Sequence, residues 1–374
     1  MTMPGSIQTA YQSHQLDRAL CLARQEALRT DMRAAGVAAL MVRGRGQLSR
    51  LFNHWAREFF PAAALIRADG PSVIAVREGY EGTLHADDIS FWEATRVSSP
   101  RPNLPDLAVE ALHDLLPAGS RVGVDGDVPL GFAGIYDVVD MRPQIARRTR
   151  AKDADELALI RAAAAAGEVA YAAIEPLLVA GTREIDLFAA YEAAAVRAAG
   201  MPIGELGNDY RGGAPGGMPR ITPLVEGELI PIDTGVALRG YHSDLCRTYP
   251  VGGRWDDFQI DAARRVVEAH ALATEMIAPG VSCKAVYTEV HRFLDGYRGL
   301  RFPTHLGHGN GLHPVETPRI NPRWDDHFEP GDTFTLEPGL YGEALRGGIR
   351  IENDYVLTDK GVECLSDSAS VVPG

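Results

Sequence analysis

Residues 230–251 read IPIDTGVALRGYHSDLCRTYPV, and this stretch contains two short apolar runs that each carry one aspartate. Because Ile, Val, Tyr and Thr are frequent in strands, we predict strands at residues 230–236 and 241–251. The corner Leu238-Arg239-Gly240 lies between them and supplies a turn, since glycine accepts a positive φ. The two strands are therefore expected to pair as a hairpin that carries the two aspartates on neighbouring strands.

The aspartates of this hairpin, Asp233 and Asp244, have the chemistry of cation ligands. Two carboxylates on paired strands can converge on one point without a flexible loop to hold them, as a preorganised divalent-cation site requires. Surface hairpins also carry pairs of acids for solubility, and the two residues alone do not separate these interpretations. A cation site would need further ligands from elsewhere in the chain.

Three residues in the last third of the chain can supply such ligands. His308 lies in the glycine-rich segment GHGNG, Glu337 follows the apolar FTL and precedes a proline, and Glu352 lies in GIRIEN. Each has an ordinary alternative, as a loop histidine or as a charge that protects a strand edge. Together with the two aspartates they form an oxygen-rich set with enough negative charge for two divalent cations. Mn(II) is favoured by these ligands, with Co(II) or Zn(II) as alternatives.

The composition argues against several classes of partner. A net charge of −13 disfavours nucleic acid, because binding to phosphate backbones needs a basic surface. The four cysteines are scattered without a CxxC pair, which favours reduced thiols and a cytoplasmic location. The amino terminus lacks the apolar segment of a secretion signal, and no run approaches the ~18 apolar residues of a membrane span. We therefore expect neither nucleic-acid binding nor membrane insertion.

The length of 374 residues predicts two domains, with α/β (α+β) content overall. Residues 1–150 alternate between helical and strand patterns, with a helix at 16–35 and a strand at 36–42, and they contain no phosphate loop or dinucleotide fingerprint. Residues 151–374 contain two predicted helix pairs, each followed by strand-rich sequence. These helices are predicted at residues 156–179, 183–199, 256–277 and 284–297.

The order and local sequence of these motifs resemble the pita-bread metallopeptidases, the family of aminopeptidase P, prolidase, methionine aminopeptidase and creatinase. The resemblance extends from about residue 150 to the C-terminus and includes AKDADELALIRAAA at residues 151–164. It implies a C-terminal pita-bread domain, with a curved antiparallel sheet and flanking helices, after an N-terminal creatinase-like α/β domain. The upstream domain points to the aminopeptidase P, prolidase and creatinase branch. The five ligands point away from creatinase itself, which lacks them.

The resemblance also implies a role for each of the five residues. Asp233 would chelate one cation, and Asp244 and Glu352 would bridge the two cations. His308 and Glu337 would hold the second cation. Glu337 would in addition be the catalytic residue that takes a proton from the attacking water and passes it to the leaving nitrogen.

Three further residues are candidates for supporting or substrate-binding roles. Arg350 shares a strand face with a ligand glutamate, Glu352, and would orient it, whereas Tyr241 would support the hairpin. Residues 204–217 are rich in Gly, Pro and Asn, and we predict a loop that leads into the hairpin. Just after this loop, Arg220 would face the pocket and bind a substrate carboxylate.

The chain departs from prolidase-type members at three histidine positions. These members usually present a Pro-His before the first metal aspartate, a histidine four residues before the metal histidine, and a His-Glu pair just after it. The corresponding residues are Pro219-Arg220, Thr304 and Val315-Glu316. His305 and His313 lie nearby and could replace the missing histidines from shifted positions. The departures concern substrate binding and leave the five cation ligands intact.

The family resemblance implies a metal-dependent hydrolase of Xaa-Pro peptide bonds that acts on a small peptide and forms a homodimer. One alternative is that the same metal site acts on a different small amide or metabolite, as an amidohydrolase or a lyase. Another is a non-catalytic binding protein on the same fold. Retention of all five ligands argues against the last alternative, because buried carboxylates are costly without a cation.

Overall fold

The computed structural model describes residues 14–55, 60–128, 130–204, 207 and 209–366. Contacts between Cα atoms divide the chain into two compact units, which span Gln12–Thr149 and Arg150–Gly374. Every residue proposed above as a ligand or as a contact of the substrate belongs to the second unit.

The strands of the first unit are β1 (Ala39–Val42), β2 (Ala63–Arg67), β3 (Ser72–Arg77), β4 (Asp88–Trp92), β5 (Thr95–Arg96), β6 (Ser99–Pro100), β7 (Arg121–Val124) and β8 (Asp137–Asp140). Six of them form a mixed sheet in the order β4-β3-β2-β1-β7-β8, and β5 pairs with β6 in a separate ribbon. The pairs β1–β7, β7–β8 and β3–β4 are parallel, whereas β2 is antiparallel to both of its neighbours. The helices of the first unit are α1 (Arg18–Ala34), α2 (Arg45–Phe52), α3 (Leu104–Glu110), α4 (Leu130–Ala133) and α5 (Arg142–Arg150).

Both faces of this sheet are buried. Along β1, Leu40 and Val42 belong to one apolar cluster, whereas Ala39 and Met41 belong to another. This alternation is the two-residue period of a strand that is covered on both sides. The predicted α/β character of this part of the chain agrees with the architecture.

The second unit combines four long helices with short antiparallel strands. The helices are α6 (Ala154–Ile174), α7 (Glu184–Ala199), α8 (Asp257–Met276) and α9 (Cys283–Leu294). The strands are β9 (Leu229–Thr234), β10 (Ala237–Leu238), β11 (Tyr241–His242), β12 (Leu245–Pro250), β13 (Gly307–Gly309), β14 (Glu316–Ile320), β15 (Thr333–Leu336), β16 (Gly339–Gly342), β17 (Gly347–Arg350), β18 (Asn353–Thr358) and β19 (Gly361–Cys364). All four predicted helices of this unit are present, with ends that differ from the prediction by a few residues.

The strands of the second unit form one larger sheet and several ribbons. The larger sheet is antiparallel and has the order β14-β13-β15-β18-β19, and the ribbons pair β9 with β12, β10 with β11 and β16 with β17. A bridge between Cys246 and Glu352 joins the ribbon of β9 and β12 to the segment before β18. Helices α8 and α9 cover an apolar cluster that extends to β15 through Phe334 and Leu336. The ribbons and the sheet thus bring distant parts of the chain side by side.

Capping side chains fix where the helices of this unit begin. Asp153 forms a capping box with Glu156 at the start of α6, and Asp256 forms one with Gln259 at the start of α8. Gly200 ends α7 in the left-handed conformation, with φ of 66°. These local signals explain why the helical segments could be read from the sequence.

The expectation that no segment reaches the length of a membrane span needs correction. Residues 154–177 are long and apolar enough by length and composition, because alanine raises their hydropathy, and half of the most apolar window is buried. Tyr171 of this segment places its hydroxyl 3.0 Å from the carbonyl oxygen of Ile232 and 2.7 Å from that of Leu245. The helix therefore packs against the aspartate hairpin, and core helices of soluble proteins pass the same composition test.

The predicted hairpin is present, but its second strand is interrupted. Strands β9 and β12 pair, and between them β10 and β11 form a smaller hairpin. The turn of the smaller hairpin consists of Arg239 and Gly240, both with positive φ, which matches the twist of paired strands. Gly235 passes so close to Ser243 that an added Cβ would lie 1.9 Å from the Ser243 carbonyl oxygen. At this close approach the strand is interrupted, although it was predicted to continue through residues 241–251.

Candidate metal centre

The five predicted ligands meet at one place although they come from five separate segments. Carboxylate and imidazole atoms of Asp244, His308 and Glu352 lie within 4.8 Å of one another, and so do carboxylate atoms of Asp233, Glu337 and Glu352. Glu352 belongs to both groups and links them. The arrangement consists of two neighbouring groups of candidate cation ligands that share one carboxylate.

Secondary structure explains how these side chains converge. Asp233 lies in β9, and Asp244 lies in the interruption between β11 and β12. His308 is the middle residue of β13, Glu337 follows the last residue of the neighbouring strand β15, and Glu352 lies between β17 and β18. Asp233 and His308 thus lie within paired strands, and the other three residues lie directly beside strand ends, which limits their motion.

The imidazole of His308 is oriented for ligation. Its Nδ1 lies 3.1 Å from the carbonyl oxygen of Gly309, and a carbonyl only accepts, so Nδ1 carries the proton. Its Nε2 lies 3.8 Å from Asp244 Oδ2 and 3.8 Å from Glu337 Oε1. Burial lowers the pKa of this imidazole to about 4, so the Nε2 lone pair is free at neutral pH.

The four carboxylates are held in an environment that disfavours their charge. Burial, followed by the repulsion of neighbouring acids, raises the pKa of Asp244 and of Glu352 well above the usual range. Burial and the charge of Asp233 raise the pKa of Glu337 to about 8. Burial also raises the pKa of Asp233 itself, against the attraction of Arg350. A cluster of this kind is stabilised by positive charge placed among its oxygens.

One carboxylate oxygen of the cluster, Oε1 of Glu352, indicates that a cation would fit there. The side chain of Glu352 is buried, and its Oε1 has no hydrogen-bond partner in the part of the chain that the structure describes. A buried carboxylate oxygen without a partner is costly, and a cation would satisfy it. The donor set of one imidazole and four carboxylates therefore fits divalent cations.

Arg350 contacts a different ligand from the one predicted. Its Nη2 lies 2.8 Å from Asp233 Oδ2 and 2.7 Å from Asp209 Oδ2, and its Nη1 lies 3.4 Å from the hydroxyl of Tyr341. The prediction from strand alternation assigned it to Glu352. Arg350 is the last residue of β17, and its guanidinium reaches across to the carboxylate of Asp233 in β9.

Tyr241 and Arg220 lie in structural contacts away from the carboxylate cluster. The Tyr241 hydroxyl donates to Glu156 Oε1 at 3.0 Å, which ties β11 to the first turn of α6 and supports the hairpin. The guanidinium of Arg220 forms a two-pronged ion pair with the buried Glu184, with Nε 2.9 Å from Oε2 and Nη2 2.5 Å from Oε1. Because this fork is engaged, Arg220 fixes its own loop rather than presenting a free cation to a substrate.

The two candidate replacement histidines differ in position. His305 Nε2 lies 3.0 Å from Glu337 Oε1, and its ring stacks on that of His308 with centroids 5.5 Å apart. His313 is exposed, and its backbone N–H donates to Glu316 Oε1. Val315 is exposed as well. His305 therefore reaches the cluster from a shifted sequence position, whereas the structure shows no such contact for His313 within the described ranges.

Two residues that support the candidate ligands, Asp354 and Asp209, were not predicted from the sequence. The buried carboxylate of Asp354 accepts the backbone N–H of Asp244, with both oxygens at 3.2 Å, and accepts Nδ2 of Asn310 at 2.5 Å. Burial raises the pKa of Asp354 to about 8. Its place two residues after a ligand glutamate was a usable signal, since such residues share a strand face. Asp209 gave no such signal, because it contacts the site from a segment predicted as a loop.

A cavity of about 250 Å³ opens beside the two stacked histidines. Two of its lining residues, Arg319 and Arg323, have no carboxylate within ion-pair distance among the described residues. The guanidinium of Arg319 instead lies 5.7 Å from the ring centroid of Trp324 at the cavity rim. The cavity is lined by Tyr287, Pro303, Thr304, His305, His308, Arg319, Asn321, Pro322, Arg323 and Trp324.

Comparisons with known proteins show which family and which solved structures this chain resembles. The model of metallopeptidase family M24 matches residues 158–359. An Xaa-Pro dipeptidase from Pyrococcus furiosus is 27% identical over 308 residues, which cover 77% of this chain and 85% of the relative. The solved prolidase of Pyrococcus horikoshii superimposes with a TM-score of 0.76 at 21% identity, covering 94% of this chain and all of the other. An X-Pro aminopeptidase from Thermotoga maritima gives 0.75 at 22% identity, covering 92% and 97%.

These likenesses confirm the family and the fold that the sequence predicts. The structural matches extend over both units, so the pita-bread fold and the preceding α/β unit are shared with prolidase and aminopeptidase P. The family segment covers more than half of the chain and contains all five clustered residues. Divalent metal ions are the cofactor class that such a family implies. The chain belongs to metallopeptidase family M24.

Proposed function

We propose that the protein is a metal-dependent hydrolase of Xaa-Pro dipeptides. The observation that carries the proposal is the convergence of five ligands in two groups that share Glu352, together with the unsatisfied Oε1 of that residue. The Xaa-Pro dipeptidase named among the relatives supports the substrate class. We infer that the ligands of the cations are Asp233, Asp244, His308, Glu337 and Glu352.

The donor set favours Mn(II), with Co(II) or Zn(II) as alternatives, because four of the five ligands are hard carboxylates. Two bound cations would supply Lewis acidity, which lowers the pKa of a bound water and polarises the carbonyl of the scissile bond. Two ions per chain follow from the two overlapping ligand groups.

Proton transfer in this proposal belongs to Glu337 and His305. Hydrolysis forms a bond from the water oxygen to the carbonyl carbon and breaks the C–N bond, so one proton leaves the water and one reaches the leaving nitrogen. Glu337 Oε1 accepts the first proton and delivers it to the nitrogen. His305 Nε2, at 3.0 Å from the same oxygen, shares that proton and keeps the carboxyl group oriented.

The cavity supports a small substrate with a free carboxylate. Its volume of about 250 Å³ lies below the range of roughly 300–1,000 Å³ that is typical of drug-sized ligands. Arg319 and Arg323 line this cavity without an ion-pair partner among the described residues, and guanidinium groups bind carboxylates through paired hydrogen bonds. The C-terminal carboxylate of a dipeptide lies close enough to its scissile bond to reach them. A substrate with a blocked C-terminus would lose this contact.

A second candidate function is hydrolysis or elimination on another small carboxylated amide or metabolite. It is favoured by the three positions where prolidase-type histidines are replaced, of which Val315 is exposed and Arg220 is engaged with Glu184. This candidate keeps the cations and the cavity and changes only the group that is recognised. A non-catalytic binding role would in addition require that no turnover occurs.

The experiment assays the Mn(II)-loaded protein on Ala-Pro, Ala-Pro amide, Ala-Pro-Ala and Ala-Ala. The proposal expects fast cleavage of Ala-Pro alone, and loss of that activity in a Glu352→Gln variant. Metal binding without turnover of any of the four compounds would contradict dipeptidase activity and favour the second candidate. Equal rates for Ala-Pro and Ala-Pro amide would contradict the role of the carboxylate.

We also infer a cytoplasmic homodimer. The four cysteines are all free, and three of them are buried, which suits a reducing compartment. The dimer is inferred from the family resemblance, and light scattering in solution tests it. A mass that corresponds to one chain would contradict this part of the proposal.

A further inference from the structure

Asp209 lies directly against the first aspartate of the proposed metal centre. Its backbone N–H donates to the carbonyl oxygen of Asp233 at 3.1 Å, and the Asp233 N–H donates back to the Asp209 carbonyl at 3.0 Å. The two residues therefore pair as in an antiparallel sheet, although Asp209 belongs to a segment outside the named strands.

The carboxylate of Asp209 is held at both of its oxygens. Oδ1 accepts the backbone N–H of Gly217 at 2.8 Å, and Oδ2 lies 2.7 Å from Arg350 Nη2. The same Nη2 atom lies 2.8 Å from Asp233 Oδ2. One buried guanidinium is therefore shared by two carboxylates, one from the loop and one from the ligand set.

The charge balance of this triad affects the cations. With Arg350 and Asp233 alone, the ligand aspartate would be neutralised by its own ion pair, and the arginine would repel a cation. Asp209 supplies the second negative charge, so the triad keeps a net charge of −1 towards the cluster.

We propose that Asp209 is a positioning residue for the metal centre, which fixes Arg350 and offsets its charge so that Asp233 can bind a cation. The proposal rests on the metal site inferred above. It adds a residue of the glycine-rich loop that does not touch the cations itself. Positioning partners of metal ligands typically change metal affinity by about 10- to 100-fold when they are removed.

The test compares Asp209→Asn with the wild type. The asparagine keeps the backbone pairing and an oxygen for the Gly217 N–H, and it removes the charge that faces Arg350. Titration with Mn(II), followed by the electron paramagnetic resonance signal of the free ion, should show binding about tenfold weaker than in the wild type. At saturating Mn(II), kcat for Ala-Pro should fall while KM stays within about twofold of the wild-type value.

A matched control changes the same loop without changing the charge beside the cluster. Glu184 accepts the backbone N–H groups of Gly212 and Arg220, so Glu184→Gln weakens the hold on this loop. It should lower the melting temperature and leave Mn(II) affinity at the wild-type value. Asp209→Glu, which restores the charge, should recover most of the affinity lost in the asparagine variant.

Three results would overturn the inference. Wild-type Mn(II) affinity in Asp209→Asn would remove the role of the charge. Equal weakening in Glu184→Gln would show that loop structure, rather than charge, is responsible. A wild-type protein that binds no Mn(II) would overturn the metal centre itself, and the assignment of Asp209 with it.

Discussion

At the scale of single residues, the contact between His305 and Glu337 is central to the proposed chemistry. The distance of 3.0 Å between Nε2 and Oε1 is that of a hydrogen bond, and burial keeps the pKa of both groups displaced from their ordinary values. The pKa of Glu337 is raised to about 8, whereas that of His305 is lowered. Glu337 is therefore the more basic of the two groups, so a proton at this contact lies on Glu337 and is shared with His305 through the hydrogen bond.

Replacement of His305 by alanine should lower kcat for Ala-Pro by about a hundredfold or more, because a group that shares the transferred proton is lost. Mn(II) affinity should stay near the wild-type value, since His305 is not among the five inferred ligands. His313→Ala serves as the matched control and should keep wild-type kinetics. Equal loss in both variants would contradict the assignment of His305.

Arg319 allows a second prediction at this scale. Arg319→Ala should raise KM for Ala-Pro by about 10- to 100-fold, which corresponds to the roughly 1.5–3 kcal/mol of a hydrogen bond to a charged group. The effect on Ala-Pro amide should be small, because that compound has no carboxylate. Arg220→Ala should leave KM unchanged, since Arg220 is paired with Glu184. Steady-state kinetics on both compounds decides between the two arginines.

At the scale of elements, helix α6 holds the aspartate hairpin in place. The Tyr171 hydroxyl lies against carbonyl groups of both β9 and β12, so one side chain joins the helix to the two strands that carry or flank the aspartates. Burial raises the pKa of this phenol well above its usual range, so it remains a donor at any physiological pH. The helix thereby contributes to the geometry of the site without contacting it.

Tyr171→Phe should lower the free energy of unfolding by about 1–3 kcal/mol, because the buried carbonyl oxygens of Ile232 and Leu245 lose their hydrogen bonds from the hydroxyl. Tyr191→Phe is the matched control, since the Tyr191 hydroxyl is buried and has no hydrogen-bond partner in the described residues. Removal of that hydroxyl should be neutral or stabilising. Urea denaturation of both variants measures the difference, and a loss of the same size in both would contradict the role of Tyr171.

Elements that depend on local signals could be predicted from the sequence. The helix cap at Asp153 and the turn at Arg239 and Gly240 are determined by residues that are close together in the sequence. The break at Asp244 could not be predicted, since it results from the close passage of Gly235 against Ser243.

Part of the candidate site could likewise be predicted from the sequence. Its five ligands follow from short motifs in a fixed order, and the structure brings them together. The partner of Arg350 was assigned wrongly, because its long side chain reaches Asp233 and Asp209, which are more than a hundred residues away in the sequence. Asp209 was missed because its pairing with Asp233 joins segments more than twenty residues apart, and no local pattern encodes such a contact.

At the scale of the whole molecule, buried titratable groups make stability depend on pH. His270 in α8 is an example, since its Nε2 lies 2.7 Å from the Ile351 carbonyl and burial lowers its pKa to about 4. An unfolded chain would protonate it near pH 6.5. Between these values the unfolded state binds one more proton than the folded state, so stability rises with pH through this window.

The contribution of His270 can be isolated with His270→Gln. As pH falls from about 6.5 to about 4, the free energy of unfolding of the wild type should fall by about 3 kcal/mol more than that of the variant. The stability difference between wild type and variant should therefore shift in favour of the variant at low pH. Urea denaturation at several pH values measures it. A difference that does not change with pH would contradict the buried neutral state of His270.

The central claim is that one glutamate, Glu352, joins two cation sites. The most direct measurement is the amount of Mn(II) bound per chain, determined by metal analysis after equilibrium dialysis, in the wild type and in Glu352→Gln. The structure leads us to expect two Mn(II) ions per wild-type chain, and marked loss of both in the variant, because its side chain belongs to both ligand groups. No bound Mn(II) in the wild type, or unchanged binding in the variant, would contradict the account.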